Sequence, residues 1–156
     1  MTKEAFMQRA IALSREGMET NCGGPFGAVI VRDGRIVAEG WNQVTSTCDP
    51  TAHAEVVAIR KAGAALSRFD LSGCEIYTSC EPCPMCLAAI YWARLDRVYY
   101  ANDRADAARI GFDDDAFYRE IALPLERRGV PMIRLLPEEA RATFDAWTRK
   151  ADRVRY

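Results

Sequence analysis

The sequence predicts a three-layer α/β/α domain built around a mixed sheet of about five strands. Three observations predict it. Asp33-Gly34 joins two apolar stretches, 26–31 and 35–40, in the manner of an antiparallel hairpin. Beyond the hairpin, strand-like and helix-like segments alternate, which calls for crossover connections and a sheet covered on both faces. The length of 156 residues, 49% of them apolar and 28% charged, suits one globular domain.

A first helix covers 3–18. Thr2 offers the capping hydroxyl, and Phe6, Ala10, Leu13 and Gly17 recur at helical spacing. Gly23-Gly24-Pro25 breaks that pattern. The hairpin ends at Trp41-Asn42, and a polar loop runs on through Asp49-Pro50. A second helix starts at Thr51 or Ala52 and reaches about Leu66, with His53 and Glu55 in its first turn. A short strand covers 74–79. The third helix starts at Pro82 or Cys83, where a first-turn proline costs little because that N–H is unpaired, and runs to about Ala93. Residues 98–101 form another strand, and 103–111 a loop with room for one helical turn. Asp113, Asp114 or Asp115 caps a fourth helix reaching about Arg128. A last strand, 132–135, and a last helix, 137–151, complete the fold. No segment repeats another and no linker separates two halves.

The net charge is −1, whereas a nucleic-acid binder shows a basic patch or a high pI. Arg149, Lys150, Arg153 and Arg155 cluster near the end and read as a solvated helix terminus. No apolar run approaches the roughly 20 residues of a membrane span. Met1-Thr2-Lys3-Glu4 is acidic early and leads into no apolar core, so it does not read as a signal peptide, and the cytoplasm is the expected compartment. There, six cysteines point to metal binding rather than disulfides. Cys22, Cys48 and Cys74 are spread out and are expected as small buried apolar residues.

The chemistry concentrates in Pro50-Thr51-Ala52-His53-Ala54-Glu55 and Cys80-Glu81-Pro82-Cys83-Pro84-Met85-Cys86. His53 is the only histidine in the chain. With Cys83 and Cys86 it supplies three good ligands for zinc, leaving the fourth tetrahedral position open, as catalytic sites do. Both segments fall at helix N-termini, where the dipole and free N–H groups favour thiolates. Cys83 and Cys86 are three apart and share a helical face. Glu55, two residues after the histidine, is placed to handle protons at the open position; by itself it would read only as a helix-start carboxylate. His-x-Glu followed by Pro-Cys-x-x-Cys is the signature of zinc-dependent base deaminases. Cys80 extends the motif to Cys-x-x-Cys-x-x-Cys, which also resembles part of an iron–sulfur run. The preferred reading ends the strand at Cys80 and leaves it to pack or to tune the site.

With these motifs, the chain resembles the cytidine-deaminase-fold superfamily and, within it, the bacterial guanine deaminases. The resemblance spans essentially the whole chain. It is carried by Gly23-Gly24-Pro25-Phe26-Gly27-Ala28, by 49–55, by 77–86 and by Ala89-Ile90-Tyr91-Trp92-Ala93, with Gly111-Phe112-Asp113-Asp114 and the final Tyr156 more specific to the guanine branch. It implies one zinc per chain on His53, Cys83 and Cys86, with Glu55 as proton shuttle. It implies that Asn42 hydrogen-bonds the purine, that Phe26 and Trp92 line the pocket, that Ala54 contacts the base, and that Asp114 reads the polar edge of guanine and assists proton movement. It also implies a homodimer that exchanges C-terminal segments, so that Tyr156 closes the partner's site. The residues alone leave other roles open: core packing for Phe26 and Trp92, a turn for Asn42, a helix cap for any of Asp113, Asp114 and Asp115, and a frayed end for Tyr156.

The expected activity is hydrolysis of guanine to xanthine and ammonia. A carboxylate suits guanine, which presents an N1–H and an exocyclic amine, whereas adenine lacks that N1–H. Three alternatives compete. A tRNA adenosine deaminase shares the metal motifs but must bind a polyanion. Another free aminated heterocycle could be the substrate. A non-catalytic zinc module would close the tetrahedron with Cys80.

Overall fold

In the computed structural model, which describes residues 1–156, Thr2 caps α1 (Lys3–Glu19), its hydroxyl accepting the Ala5 N–H at 3.2 Å. The stripe Phe6, Ala10, Leu13 and Gly17 is the buried face of this helix. β1 (Gly27–Arg32) and β2 (Arg35–Trp41) form the antiparallel hairpin. Asp33 and Gly34 both take positive φ, 51° and 70°, as a two-residue turn matched to strand twist requires.

β3 (Cys74–Cys80) pairs antiparallel with the other side of β1, and β4 (Arg97–Asn102) runs parallel to β3. The order is β2-β1-β3-β4, a mixed sheet of four strands. Successive side chains of β1 point to opposite faces and both faces are covered. Ala28 and Ile30 join Ala58, Ile76 and Ile90 beneath α3 (Ala54–Leu66) and α4 (Pro84–Trp92). Val29, Val31 and Tyr77 meet Phe6 and Leu13 of α1. Each large aliphatic or aromatic side chain so buried contributes about 1.5–3 kcal/mol by leaving water. Tyr77 also stacks on Tyr99 at 4.5 Å.

Two compact units result, Met1–Asp115 and Ala116–Tyr156. The first holds the sheet, the helices above that cover it, and two short helices absent from the sequence reading. α2 (Val44–Thr47) interrupts the polar loop, and α5 (Arg104–Arg109) replaces most of the loop expected at 103–111. α5 forms because Asp103 and Asp106 make a reciprocal capping box at its start.

The second unit departs further from expectation. α6 (Asp115–Ala122) stops well before Arg128, since Pro124 disfavours the helical conformation at Leu123. A single 3₁₀ turn, Leu125–Arg127, follows. Arg128 then donates to the Ile121 and Leu123 carbonyls, and the Gly129 N–H donates to Glu120 at 2.7 Å. The strand expected at 132–135 does not form, so the sheet has four strands rather than about five. Met132, Ile133 and Leu135 stay exposed, because β-propensity makes a strand only where a neighbour accepts its hydrogen bonds. α7 (Pro137–Arg149) ends the unit's regular structure.

Candidate active site

The loop before α3 is tied so that His53 falls at the helix N-cap. Asp49 accepts the Thr51 N–H and hydroxyl at 2.8 and 2.6 Å, and the Gln43 N–H donates to the Ala52 carbonyl. Gly40 lets this helix start sit directly on β2: a Cβ there would lie 2.3 Å from the Ala54 carbonyl oxygen and 2.7 Å from the Ala58 nitrogen. Cys83 is the N-cap of α4, Pro84 occupies its first turn, and Cys86 is one turn on. Two helix starts therefore converge.

His53 Nδ1 lies 3.6 Å from Cys83 Sγ and 3.5 Å from Cys86 Sγ, and all three donor atoms fall within 4.8 Å of one another. A tetrahedral zinc, with Zn–S about 2.3 Å and Zn–N about 2.0 Å, sets N···S separations of about 3.5 Å. The donor set fits that ion. Hydrogen bonding from Cys86 is the largest cause that brings the Cys83 thiol down to about 4, opposed by burial and helped by His53. Cys86 moves the other way, its thiol raised first by the hydrogen bond to Cys83 and then by burial.

Cys80 stands outside this cluster. Its Sγ points at the Asp103 carbonyl, 3.9 Å away, and burial pushes its thiol up to about 11. It neither closes the tetrahedron nor forms a cluster with Cys83 and Cys86, so the iron–sulfur and fourth-ligand alternatives lose their geometry. Of the remaining cysteines only Cys74 is buried. Cys22 is half-buried, and Cys48 is exposed as the left-handed C-cap of α2, contrary to the expectation for both.

Beside the donor triad is a cavity of about 230 Å³, lined by residues of the first unit. Glu55 lines it while only 6% exposed, and burial raises its pKa. Asn42 is 5% exposed. Its Oδ1 accepts the N–H groups of Gly24 and Val44 at 3.2 and 3.1 Å, which fixes the amide and leaves Nδ2 as the group with donors to offer. Phe26 lines the cavity with Phe112 edge-on against it at 4.9 Å.

The three consecutive aspartates separate. Asp113 accepts the Asp115 N–H, Asp115 pairs with Arg104, and Asp114 lines the cavity. Burial is the first cause of the raised Asp114 pKa, with the Cys83 charge next. No lysine or arginine lines the cavity, whereas Glu55, Glu81 and Asp114 do.

Three expected site residues are not among those lining it. The Ala54 side chain is fully buried in the core between α3 and the sheet. Trp92 is 63% exposed at the last position of α4; it lies six residues past Cys86, roughly 9 Å further along the axis and turned to another face. Tyr156 is an exposed residue of the second unit. Conversely, the sequence reading gave no role to Glu81 or Phe112, although both sit inside quoted motifs. Val44 and Thr45 also line the cavity, from a loop whose polarity gave no signal.

The model of the cytidine and deoxycytidylate deaminase zinc-binding region matches residues 1–102. Guanine deaminase of Bacillus subtilis is 53% identical over 156 residues, all of both chains. Its X-ray structure superimposes with a TM-score of 0.97 over 100% of this chain and 99% of that one, at 52% identity. A structure of guanine deaminase from Nitrosomonas europaea gives a TM-score of 0.69 at 35% identity, covering 72% of this chain and 65% of that one. The tRNA-specific adenosine deaminase of Agrobacterium fabrum is 44% identical over 95 residues, 61% of this chain and 62% of its own. A donor triad that fits zinc, a buried glutamate beside it and a full-length likeness together place the chain in the cytidine and deoxycytidylate deaminase family of zinc-dependent deaminases, in company with the bacterial guanine deaminases.

Proposed function

We propose that this chain is a guanine deaminase: guanine and water give xanthine and ammonia. The observation that carries the reading is the cavity. It sets a buried carboxyl, Glu55, beside the donor triad and offers a fixed amide donor from Asn42 and a carboxylate acceptor from Asp114. The full-length likeness to a guanine deaminase supports the same substrate.

His53, Cys83 and Cys86 would hold the metal, and zinc there lowers the pKa of a water from about 15.7 toward roughly 7, making it nucleophilic at neutral pH. Glu55 takes one proton from the attacking water and gives it to the unprotonated ring nitrogen beside C2; it then takes the second proton from the new C2 hydroxyl and passes it to the departing amine as the C2–N bond breaks, so that the carboxylate is restored. Asn42 Nδ2 donates to an acceptor on the purine. Asp114 accepts from its N1–H and amino edge and assists proton movement. Phe26, braced by Phe112, gives the flat ring an apolar face. Ala54 enters through its backbone, its side chain being committed to the core.

The whole chain acts as one deaminase domain in this reading, and as a homodimer that exchanges C-terminal segments. The exposed Phe117, Ile121, Ile133, Leu135, Phe144 and Trp147 of the second unit support an obligate partner. Trp92 and Tyr156 join the site only through that second subunit. Cytoplasmic residence completes the proposal, since six unpaired cysteines suit a reducing compartment. No helix is long and apolar enough to cross a membrane.

A tRNA adenosine deaminase is the second reading. The likeness to a tRNA-specific adenosine deaminase spans 61% of this chain, whereas that to a guanine deaminase spans all of it, which ranks this reading second. The deciding experiment follows ultraviolet absorbance of the purified chain with guanine, adenine, cytosine and cytidine, with metal measured on the same sample. Guanine alone should be converted, with about one zinc per chain. A zinc-loaded chain that converts no free base but binds tRNA with a steep salt dependence would replace this reading with the other.

A further inference from the structure

Arg104 is the first residue of α5, outside every motif considered above, yet it joins both halves of the cavity wall. Its Nε and Nη2 donate to Glu81 Oε1 at 3.3 and 3.1 Å, while its own backbone N–H donates to Glu81 Oε2 at 3.0 Å. Its remaining terminal nitrogen, Nη1, lies 3.7 Å from Asp115 Oδ1. Glu81 belongs to the loop between β3 and α4, two residues before the ligand Cys83, and its N–H donates to the Asn102 carbonyl at the end of β4. Asp115 is held in turn by Asp113, whose carboxylate accepts the Asp115 N–H at 3.1 Å. Asp114, between them, is the member aimed at the cavity.

We infer that Arg104 is a positioning residue: one guanidinium spans Glu81 and Asp115 and so fixes the Asp114 carboxylate relative to the Cys83 loop. This rests on the proposed role of Asp114 toward guanine. The shape of the cation matters. Only a planar fork can serve two carboxylates from separate edges while a third contact comes from its backbone; an ammonium is a single point of charge. Glu81, though it lines the cavity, is committed to this bridge, and its charge is balanced there. The far end of α5 supports the same segment, because the Phe112 N–H donates to the Ala107 carbonyl at 3.1 Å. Loss of Arg104 therefore loosens Asp114 without unfolding the segment.

The test is a double-mutant cycle, Arg104→Gln with Asp114→Asn, read as kcat/KM for guanine, with amide hydrogen exchange of the peptide over 111–115 measured without substrate. Arg104→Gln should lower kcat/KM about tenfold or more, as misplacement of a binding group does. In the Asp114→Asn background the same change should cost less than about twofold, since residues acting through one another are not additive. Exchange over 111–115 should quicken, and Arg104→Lys should fall between native and Arg104→Gln in both readouts. Equal losses in the two backgrounds, or unchanged exchange over 111–115, would overturn the inference. If the native chain converts no guanine, the substrate reading falls, and the exchange rates then decide the role of Arg104 by themselves.

Discussion

Substituting Gly40 by alanine should damage a site that the residue never touches. The added Cβ would lie 2.3 Å from the Ala54 carbonyl oxygen and 2.7 Å from the Ala58 nitrogen, where ordinary contact begins at 3.4 Å. Both neighbours are backbone atoms of α3, so no side-chain rotation relieves the clash. The helix start must lift from β2 by about 1 Å, and His53 and Glu55 move with it while Cys83 and Cys86, on α4, stay behind. Overpacking of this kind costs about 1–3 kcal/mol, which for a chain of this size lowers the melting temperature by about 2–12 °C. A displacement near 1 Å at reacting groups costs about a hundredfold in rate. Calorimetry, guanine kinetics and zinc retention against a competing chelator measure the three effects on one sample. A Gly40→Ala protein that melts, turns over and holds zinc as the native chain does would show that the Gly40 contact does not set the site.

Other perturbations follow from individual contacts. Glu55→Gln should keep zinc and lose about 10²–10⁴-fold in turnover, and Cys80→Ser should keep zinc as well, because neither residue belongs to the donor triad; metal analysis with single-substrate kinetics checks both, and zinc lost from Cys80→Ser would restore a four-ligand site. Asn42→Asp retains the oxygen that accepts from Gly24 and Val44 but buries a carboxyl at a 5% exposed position beside Glu55 and Asp114, so it should melt below the native chain, while loss of the Nδ2 donor cuts kcat/KM at least about tenfold. Native kinetics in the Asn42→Asp variant would remove Asn42 from substrate binding. Deleting residues 154–156 should lower activity at unchanged zinc content if exchanged tails complete the dimer, and full activity would show Tyr156 to be dispensable. Arg9 grips both Glu39 oxygens at 2.8 Å, and that pairing is the first cause holding Glu39 below its usual 4.5. A depressed carboxyl pKa stabilises above the unfolded value and loses that contribution as pH falls through the folded one. Both groups are about one-third exposed, so urea midpoints should separate native from Arg9→Met by about 1 kcal/mol or less at neutral pH and converge in acid; a gap that persists in acid would exclude the ion pair as its source.

The clustering of His53, Cys83 and Cys86 and the position of Glu55 beside them were legible because the spacing that produces them is local. Spacing places Cys83 and Cys86 one helical turn apart, and a glutamate two residues past a unique histidine needs no tertiary information to be noticed. The Asp33-Gly34 turn and the Thr2 cap were legible for the same reason. The choice among Asp113, Asp114 and Asp115 was not, since it depends on which carboxylate accepts a backbone N–H and which meets Arg104. The strand expected at 132–135 failed because strandedness belongs to a pair of segments, whereas α6 ended early through a proline that the helical periodicity had been read across. Trp92 was placed at the cavity by resemblance, but a residue six positions along a helix faces elsewhere within its own chain.

That His53 is the only imidazole in the chain has a practical consequence. Protein labelled selectively at histidine and purified without a polyhistidine tag would give a magnetic-resonance spectrum with a single ring in it, and that ring is a proposed metal ligand. Its two nitrogens distinguish coordination through Nδ1, the atom facing both sulfurs, from a free or protonated ring. Metal loading, chelator stripping and inhibitor binding could then be followed at one atom pair, with no assignment problem and no background from elsewhere in the molecule.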